Sequence, residues 1–68
     1  MTDNAVKPSR FLRRAEVDAM TGLSRAVREA MEREGRFPRR IYLSARTVAW
    51  DEAEVVEWMA SRRAARVA

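Results

Sequence analysis

The stretch Thr21-Gly22-Leu23-Ser24 constrains this chain more than any other, because it ends one helix and starts the next. Upstream, Ala15-Glu16-Val17-Asp18-Ala19-Met20 reads as helical, and Gly22 can take the left-handed conformation that closes a helix. Downstream, Ser24 is a good N-cap, since its hydroxyl can accept an orphan backbone N–H of the first turn. Leu23, Val27, Ala30 and Met31 then fall at helical spacing on the expected buried face. Arg25, Arg28, Glu29, Glu32 and Arg33 fall on the other, where Arg25–Glu29, Arg28–Glu32 and Glu29–Arg33 are oppositely charged i,i+4 pairs. Gly35 ends the second helix. Two short helices on a tight turn have the sequence shape of a helix-turn-helix.

Beyond Phe37-Pro38 the helical period gives way to alternation. Ile41 and Leu43 alternate with Arg40, Tyr42 and Ser44, and Val48 and Trp50 alternate with Thr47 and Ala49. Ser44-Ala45-Arg46 is a short loop consistent with a hairpin, although it lacks an Asn-Gly or Asp-Gly signature. The hairpin is expected to bury Ile41, Leu43, Val48 and Trp50 and to project Arg46 at its tip. Asp51-Glu52-Ala53-Glu54 then opens a last helix, with Asp51 and Glu54 spaced as a capping box and Val55, Trp58, Met59 and Arg62 as its stripe. Phe11-Leu12, ahead of the first helix, reads as a brief strand. Residues 1–9 read as a flexible tail, 10–62 as the domain and 63–68 as a frayed end. The expected fold is therefore α+β, a small winged helix-turn-helix: short strand, two helices, hairpin wing, C-terminal helix.

Composition limits what such a domain can do. Twelve of its 32 hydrophobic residues are alanine, so only about 20 side chains can fill a core. The absence of Cys and His removes disulfides, the common zinc ligand sets and Ser–His–Asp or Cys–His catalysis. No carboxylate pair is clearly placed in a cleft, so a binder is expected rather than an enzyme, with no cofactor. Met1 to Pro8 has no apolar targeting region, and no stretch approaches the roughly 18 apolar residues of a spanning helix. The expected location is cytoplasmic, at the nucleoid.

Charge is sorted by element. Thirteen of the fourteen bases are arginine, whose planar guanidinium reads phosphates and guanine edges well. Residues 35–50 carry Arg36, Arg39, Arg40 and Arg46 and no acid, whereas Asp51, Glu52, Glu54 and Glu57 cluster with no base among them. One basic and one acidic face is what a domain docking on double-stranded DNA needs. Trp50 and Trp58 are expected in the core. Tyr42, opposite Ile41 and Leu43, is expected to be exposed, with its hydroxyl available to a phosphate. Arg39 and Arg40 alternate faces, so one of the two is expected to reach DNA. Arg62, Arg63 and Arg66 are expected to complement the last helix's dipole.

The chain resembles the AlpA family of small phage-associated regulators, within the MerR-like and excisionase-like winged helix-turn-helix group. The resemblance is carried by Arg10-Phe11-Leu12-Arg13, Glu16-Val17, Thr21-Gly22-Leu23-Ser24-Arg25, Glu34-Gly35-Arg36-Phe37-Pro38, Ile41-x-Leu43, Arg46-x-Val48-x-Trp50 and Glu54-Val55-x-x-Trp58. It implies sequence-specific DNA binding without a cofactor, the second helix in the major groove and the wing on the backbone or minor groove. By position, Ser24 and Arg25 start the recognition helix, Arg46 sits on the wing tip, and Trp50, Val55 and Trp58 belong to the core. Family members often follow the helix start with Ser-Thr, an aliphatic, a tyrosine and an arginine. Here those positions read Ala26, Val27, Arg28, Glu29 and Ala30, so the target sequence is not inherited.

The expected DNA-contacting set is Ser24, Arg25, Arg28, Arg36, Arg39, Arg40, Tyr42 and Arg46. The expected role is regulation of prophage-type genes, by activation at a promoter or by antitermination on RNA polymerase, with two or more copies on DNA. Two alternatives stand beside it. One is an excisionase-like factor that bends DNA; the other is a protein-interaction module on a winged scaffold, motivated by Glu29, Ala30 and the acidic run.

Overall fold

The computed structural model describes residues 9–66. Its elements are β1 (Phe11–Leu12), α1 (Arg14–Thr21), α2 (Arg25–Arg33), β2 (Ile41–Ser44), β3 (Thr47–Asp51) and α3 (Glu52–Ala65). This is the α+β winged helix-turn-helix order expected from the sequence. The last helix continues to Ala65, past the domain end expected at 62. Of the tail expected over 1–9 and the frayed end expected over 63–68, residues 1–8 and 67–68 lie outside the described residues.

The turn is built as its residues dictate. Gly22 adopts φ 76° and donates to the Asp18 carbonyl at 2.8 Å, closing α1. Thr21 Oγ1 donates to the Val17 carbonyl at 2.8 Å and accepts from the Leu23 N–H at 3.3 Å, bracing the bend. Ser24 Oγ accepts from the Val27 N–H at 3.2 Å and starts α2. At the other end of α2, Gly35 takes φ 75° and Arg36 N–H returns to the Met31 carbonyl at 2.8 Å. That bond and Gly35 N–H to the Glu32 carbonyl at 3.1 Å satisfy carbonyls the helix leaves open.

The sheet is antiparallel with order β1-β3-β2, so the last strand in sequence is central in space. Phe11 faces Asp51 and Leu12 faces Trp50; Ile41 faces Ala49 and Tyr42 faces Val48. Central placement buries Val48, Ala49 and Trp50 in succession, although the sequence alternates there. The expected inward set of the hairpin is corrected at β2. The register shifts between Tyr42 and Ser44, leaving Leu43 as an extra residue without a partner. Leu43 is therefore 45% exposed, and Ile41 only half-buried.

The core comprises Leu12, Val17, Met31, Phe37, Val48, Trp50 and Val55, with Met20, Leu23, Trp58 and Met59 packed against it. Trp58 meets Phe37 edge-on at 4.8 Å between centroids and donates from Nε1 to the Arg36 carbonyl at 2.8 Å. Those two contacts pin the segment between α2 and β2 onto α3. The expected Asp51 cap is not formed, because Asp51 is committed to β3 opposite Phe11. Instead the chain's opposite end caps α3. Ser9 Oγ accepts from the Ala53 N–H at 3.1 Å, and the Arg10 carbonyl accepts from the Glu52 N–H at 2.9 Å. Arg10 Nε adds an ion pair to Glu52 at 3.1 Å.

The largest correction concerns α2. Arg28, expected on the outer face and among the DNA contacts, is completely buried, whereas Val27, expected inside, is 48% exposed. Arg28 Nε donates to Asp18 Oδ1 at 2.6 Å and Nη1 to Glu32 Oε2 at 3.3 Å, while the guanidinium lies 4.8 Å from the centre of the Trp50 ring. Burial opposes the charge, but the bonds and charges of Asp18 and Glu32 outweigh it and hold the Arg28 pKa above its ordinary value. Nη2 is buried without a hydrogen-bond partner among the described residues. Glu32 is the junction: Oε2 also accepts from Trp50 Nε1 at 3.1 Å, and Oε1 accepts from Arg40 Nε at 3.0 Å. An arginine with these partners can occupy a core position because its charge is neutralised and its flat face is packed.

Two stability outcomes are expected in chemical denaturation. Arg28→Ala leaves a cavity and unpairs Asp18, costing roughly 3–5 kcal/mol, whereas Arg28→Met unpairs Asp18 as well but fills the space and recovers the packing part of that loss. Equal losses for the two would show that charge rather than packing holds this position. Ser9→Ala removes the α3 cap and costs about 1 kcal/mol; an unchanged midpoint would contradict the cap.

Candidate nucleic-acid interface

Helix α2 and the hairpin of β2 and β3 carry most of the candidate residues. Ser24 is exposed at the start of α2, and Arg25 beside it is exposed with Nε 3.1 Å from Glu29 Oε2. Glu29 turns to Arg25 rather than to Arg33. The hydrogen bond from Arg25 holds the Glu29 carboxyl below its usual range, with the charges of Arg25, Arg28 and Arg40 adding to it. At neutral pH Glu29 is thus an ionised acceptor tethered to an arginine, rather than a free anion facing outward.

Across from this helix stands the wing. Tyr42 is 66% exposed, in keeping with its expected outward position. Arg39 and Arg40 diverge as alternation requires: Arg39 is exposed, and Arg40 bonds Glu32 and lies 5.6 Å from the Trp50 ring centre. Arg46 is exposed in the two-residue hairpin loop, where its N–H donates to Ser44 Oγ at 3.4 Å. Arg39, Arg40 and Tyr42 meet Glu29, Glu32 and Arg33 of α2 around a shallow cleft of about 480 Å³. Arg33 is absent from the expected set because its i,i+4 spacing pairs it with Glu29 in the sequence. The signal was the i,i+4 competition for one carboxylate: Glu29 can satisfy Arg25 or Arg33, and the structure gives it to Arg25.

Arg36 falls elsewhere. It pairs with Glu34 at the end of α2 and lines a second groove with Phe37, Trp58, Glu54, Glu57 and Arg62, against α3. Arg28 is removed from the set altogether by its burial. The structure therefore gathers Arg25, Arg39, Tyr42 and the unexpected Arg33 beside α2, sets Arg46 on the loop, and holds Arg40 as a structural strut behind them. Arg33, Arg39 and Arg46 make no ion pair among the described residues, so their charge is available to an external anion.

An exposed helix flanked by outward guanidinium groups and a phenol can neutralise phosphates and meet base edges. Among the described residues no group of three carboxylates gathers to hold a metal ion, and no helix is long and apolar enough to cross a membrane.

Comparison with known proteins agrees with this geometry. The family model described as prophage CP4-57 regulatory protein (AlpA) matches residues 10–63, which takes in every element from β1 to all but the end of α3. The chain is also 43% identical over 61 residues to an uncharacterized protein, ORF88, of Enterobacteria phage P4. That similarity covers 90% of this chain and 69% of the phage protein. With its strand, tight helical turn and wing all inside the matched region, the chain belongs to the AlpA family of phage regulatory proteins.

Proposed function

We propose that this chain is a sequence-specific DNA-binding regulator of prophage-type genes in the cytoplasm, with α2 in the major groove and the wing on the backbone. One observation carries the reading: Arg33 and Arg39 line the cleft beside the exposed Tyr42, Arg46 is exposed on the wing loop, and none of the three is ion-paired among the described residues. Ser24 and Arg25 stand at the N-terminus of α2, the part of a recognition helix that meets base edges. The exposed Glu54 and Glu57 of α3 line the groove that Arg36 also lines, and they would offer RNA polymerase an acidic contact, as activation at a promoter or antitermination would require.

A module of this size buries only about 600–1,000 Å² on DNA, so useful specificity requires two or more copies on repeated half-sites. Bending DNA for excision would use the same face, and transcription with and without a terminator distinguishes the regulatory modes. A second reading, a winged scaffold that engages a protein, draws on the arginines already spent inside the molecule. Arg25, Arg28, Arg36 and Arg40 all have carboxylate partners, leaving fewer cations for phosphate than the composition promises.

Electrophoretic shift or fluorescence anisotropy on duplex DNA tests the proposal. With about four phosphates neutralised, log Kobs should fall against log salt with a slope near −3.6. Arg39→Ala and Arg46→Ala should each weaken binding several-fold on all sequences and reduce the slope by about 1, while Arg36→Ala should leave it unchanged. A salt-independent interaction would exclude the phosphate contacts. Intact regulation in cells by the double variant Arg25→Ala, Arg46→Ala would favour the protein-interaction reading instead.

A further inference from the structure

The outer face of α2 has an unusual chemistry. Arg28 and Met31 are buried and Glu32 is turned inward, which fixes the rotation of the helix. At 3.6 residues per turn, Ala26, Val27 and Ala30 then occupy an arc of roughly 100° on the outward side. Val27 is 48% exposed, Ala26 is exposed and Ala30 is half-buried. None of the three can donate or accept a side-chain hydrogen bond. The polar side chains of the first two turns lie off this strip: the Ser24 hydroxyl accepts from Val27 N–H at the helix start, and Arg25 Nε donates to Glu29. A lone exposed valine would need no explanation. An apolar strip on the helix that the flanking guanidinium groups of Arg33 and Arg39 would press toward DNA does.

Only one feature of the major groove suits such a strip. Guanine, cytosine and adenine present donors and acceptors there, whereas thymine adds a methyl group at C5. An aliphatic side chain against a polar edge displaces water and returns no hydrogen bond; against a methyl it buries apolar surface on both sides. Resting on the DNA-binding reading above, we propose that Ala26, Val27 and Ala30 form an apolar reading surface for thymine 5-methyl groups, with Val27 as its principal contact. Sequence preference then arises from methyl contact along this strip, and Arg25 and Arg33, on one flank of it, supply position and affinity.

The test begins by selecting a preferred site from a random duplex pool with the full chain. Each thymine of that site is then replaced by deoxyuridine, which deletes the methyl and keeps every hydrogen-bonding group. Binding should weaken about fourfold at one or two thymines, as expected for a buried methyl, and be unchanged at the rest. Val27→Ser, whose outward position leaves the fold intact by circular dichroism, should bind thymine and deoxyuridine duplexes equally at the sensitive position. Its affinity for random duplex and its salt slope should match the parent chain. A site that tolerates deoxyuridine throughout, or a Val27→Ser variant that keeps full sensitivity, overturns the methyl contact and leaves DNA binding standing. A pool that yields no enriched sequence overturns the sequence-reading function and the methyl contact with it.

Discussion

One carboxylate joins the two halves of this molecule. Glu32 accepts hydrogen bonds from Arg28 of α2, from Arg40 at the foot of the wing and from the indole of Trp50 in the central strand. Its two oxygens thereby tie the helix-turn-helix to the hairpin at a fixed angle. The two guanidinium groups it neutralises also lie close to the Trp50 ring, so charge pairing and packing act at the same point. In a domain with no disulfide and few large apolar side chains, a polar cluster of this kind takes over part of the work of a larger core. Arg28 enters that core as a long flat side chain whose charge has been cancelled.

The parts of the fold legible in the sequence are those determined locally. Gly22, Ser24 and Gly35 announce their turns because a left-handed backbone or a capping hydroxyl is decided within a few residues. The element order followed from these signals and from the change of period at Phe37-Pro38. The illegible parts were decided at a distance. Arg28 looks like a surface residue on a helical wheel, and only Asp18 ten positions earlier and Trp50 in another element make its burial affordable. Asp51 has the composition of a helix cap, but the arrival of Phe11 opposite it turns it into a strand residue. Leu43 keeps perfect alternation in sequence and loses its inward place to an irregular register.

The candidate interface shows the same division. Tyr42 and Arg46 are exposed, as strand alternation and a hairpin tip suggest, and of Arg39 and Arg40, which alternation sets on opposite faces, Arg39 is the exposed one. Arg40 and Arg36 were harder to place, since their partners Glu32 and Glu34 decide whether the guanidinium points toward solvent or back into the molecule. Counting arginines therefore overstates the charge offered to a partner. What reaches outward is a smaller set, beside a helix that also exposes Ala26 and Val27.

The capping of α3 by Ser9 and Arg10 bears on how the domain assembles. The contacts join residues more than 40 positions apart, and among the described residues β1 pairs with β3 alone. The helix-turn-helix can sample its local turns early, but the first strand has nothing to pair with until β3 of the wing has been made, and the Ser9 and Arg10 cap has nothing to close until α3 follows. Loop closure over that span is repaid only at the end. Completion of the fold is thus a late, all-or-none event in which the opening residues and the final helix arrive together. A ribosome-bound chain lacking that helix would have the turn and the wing but no clasp to hold them.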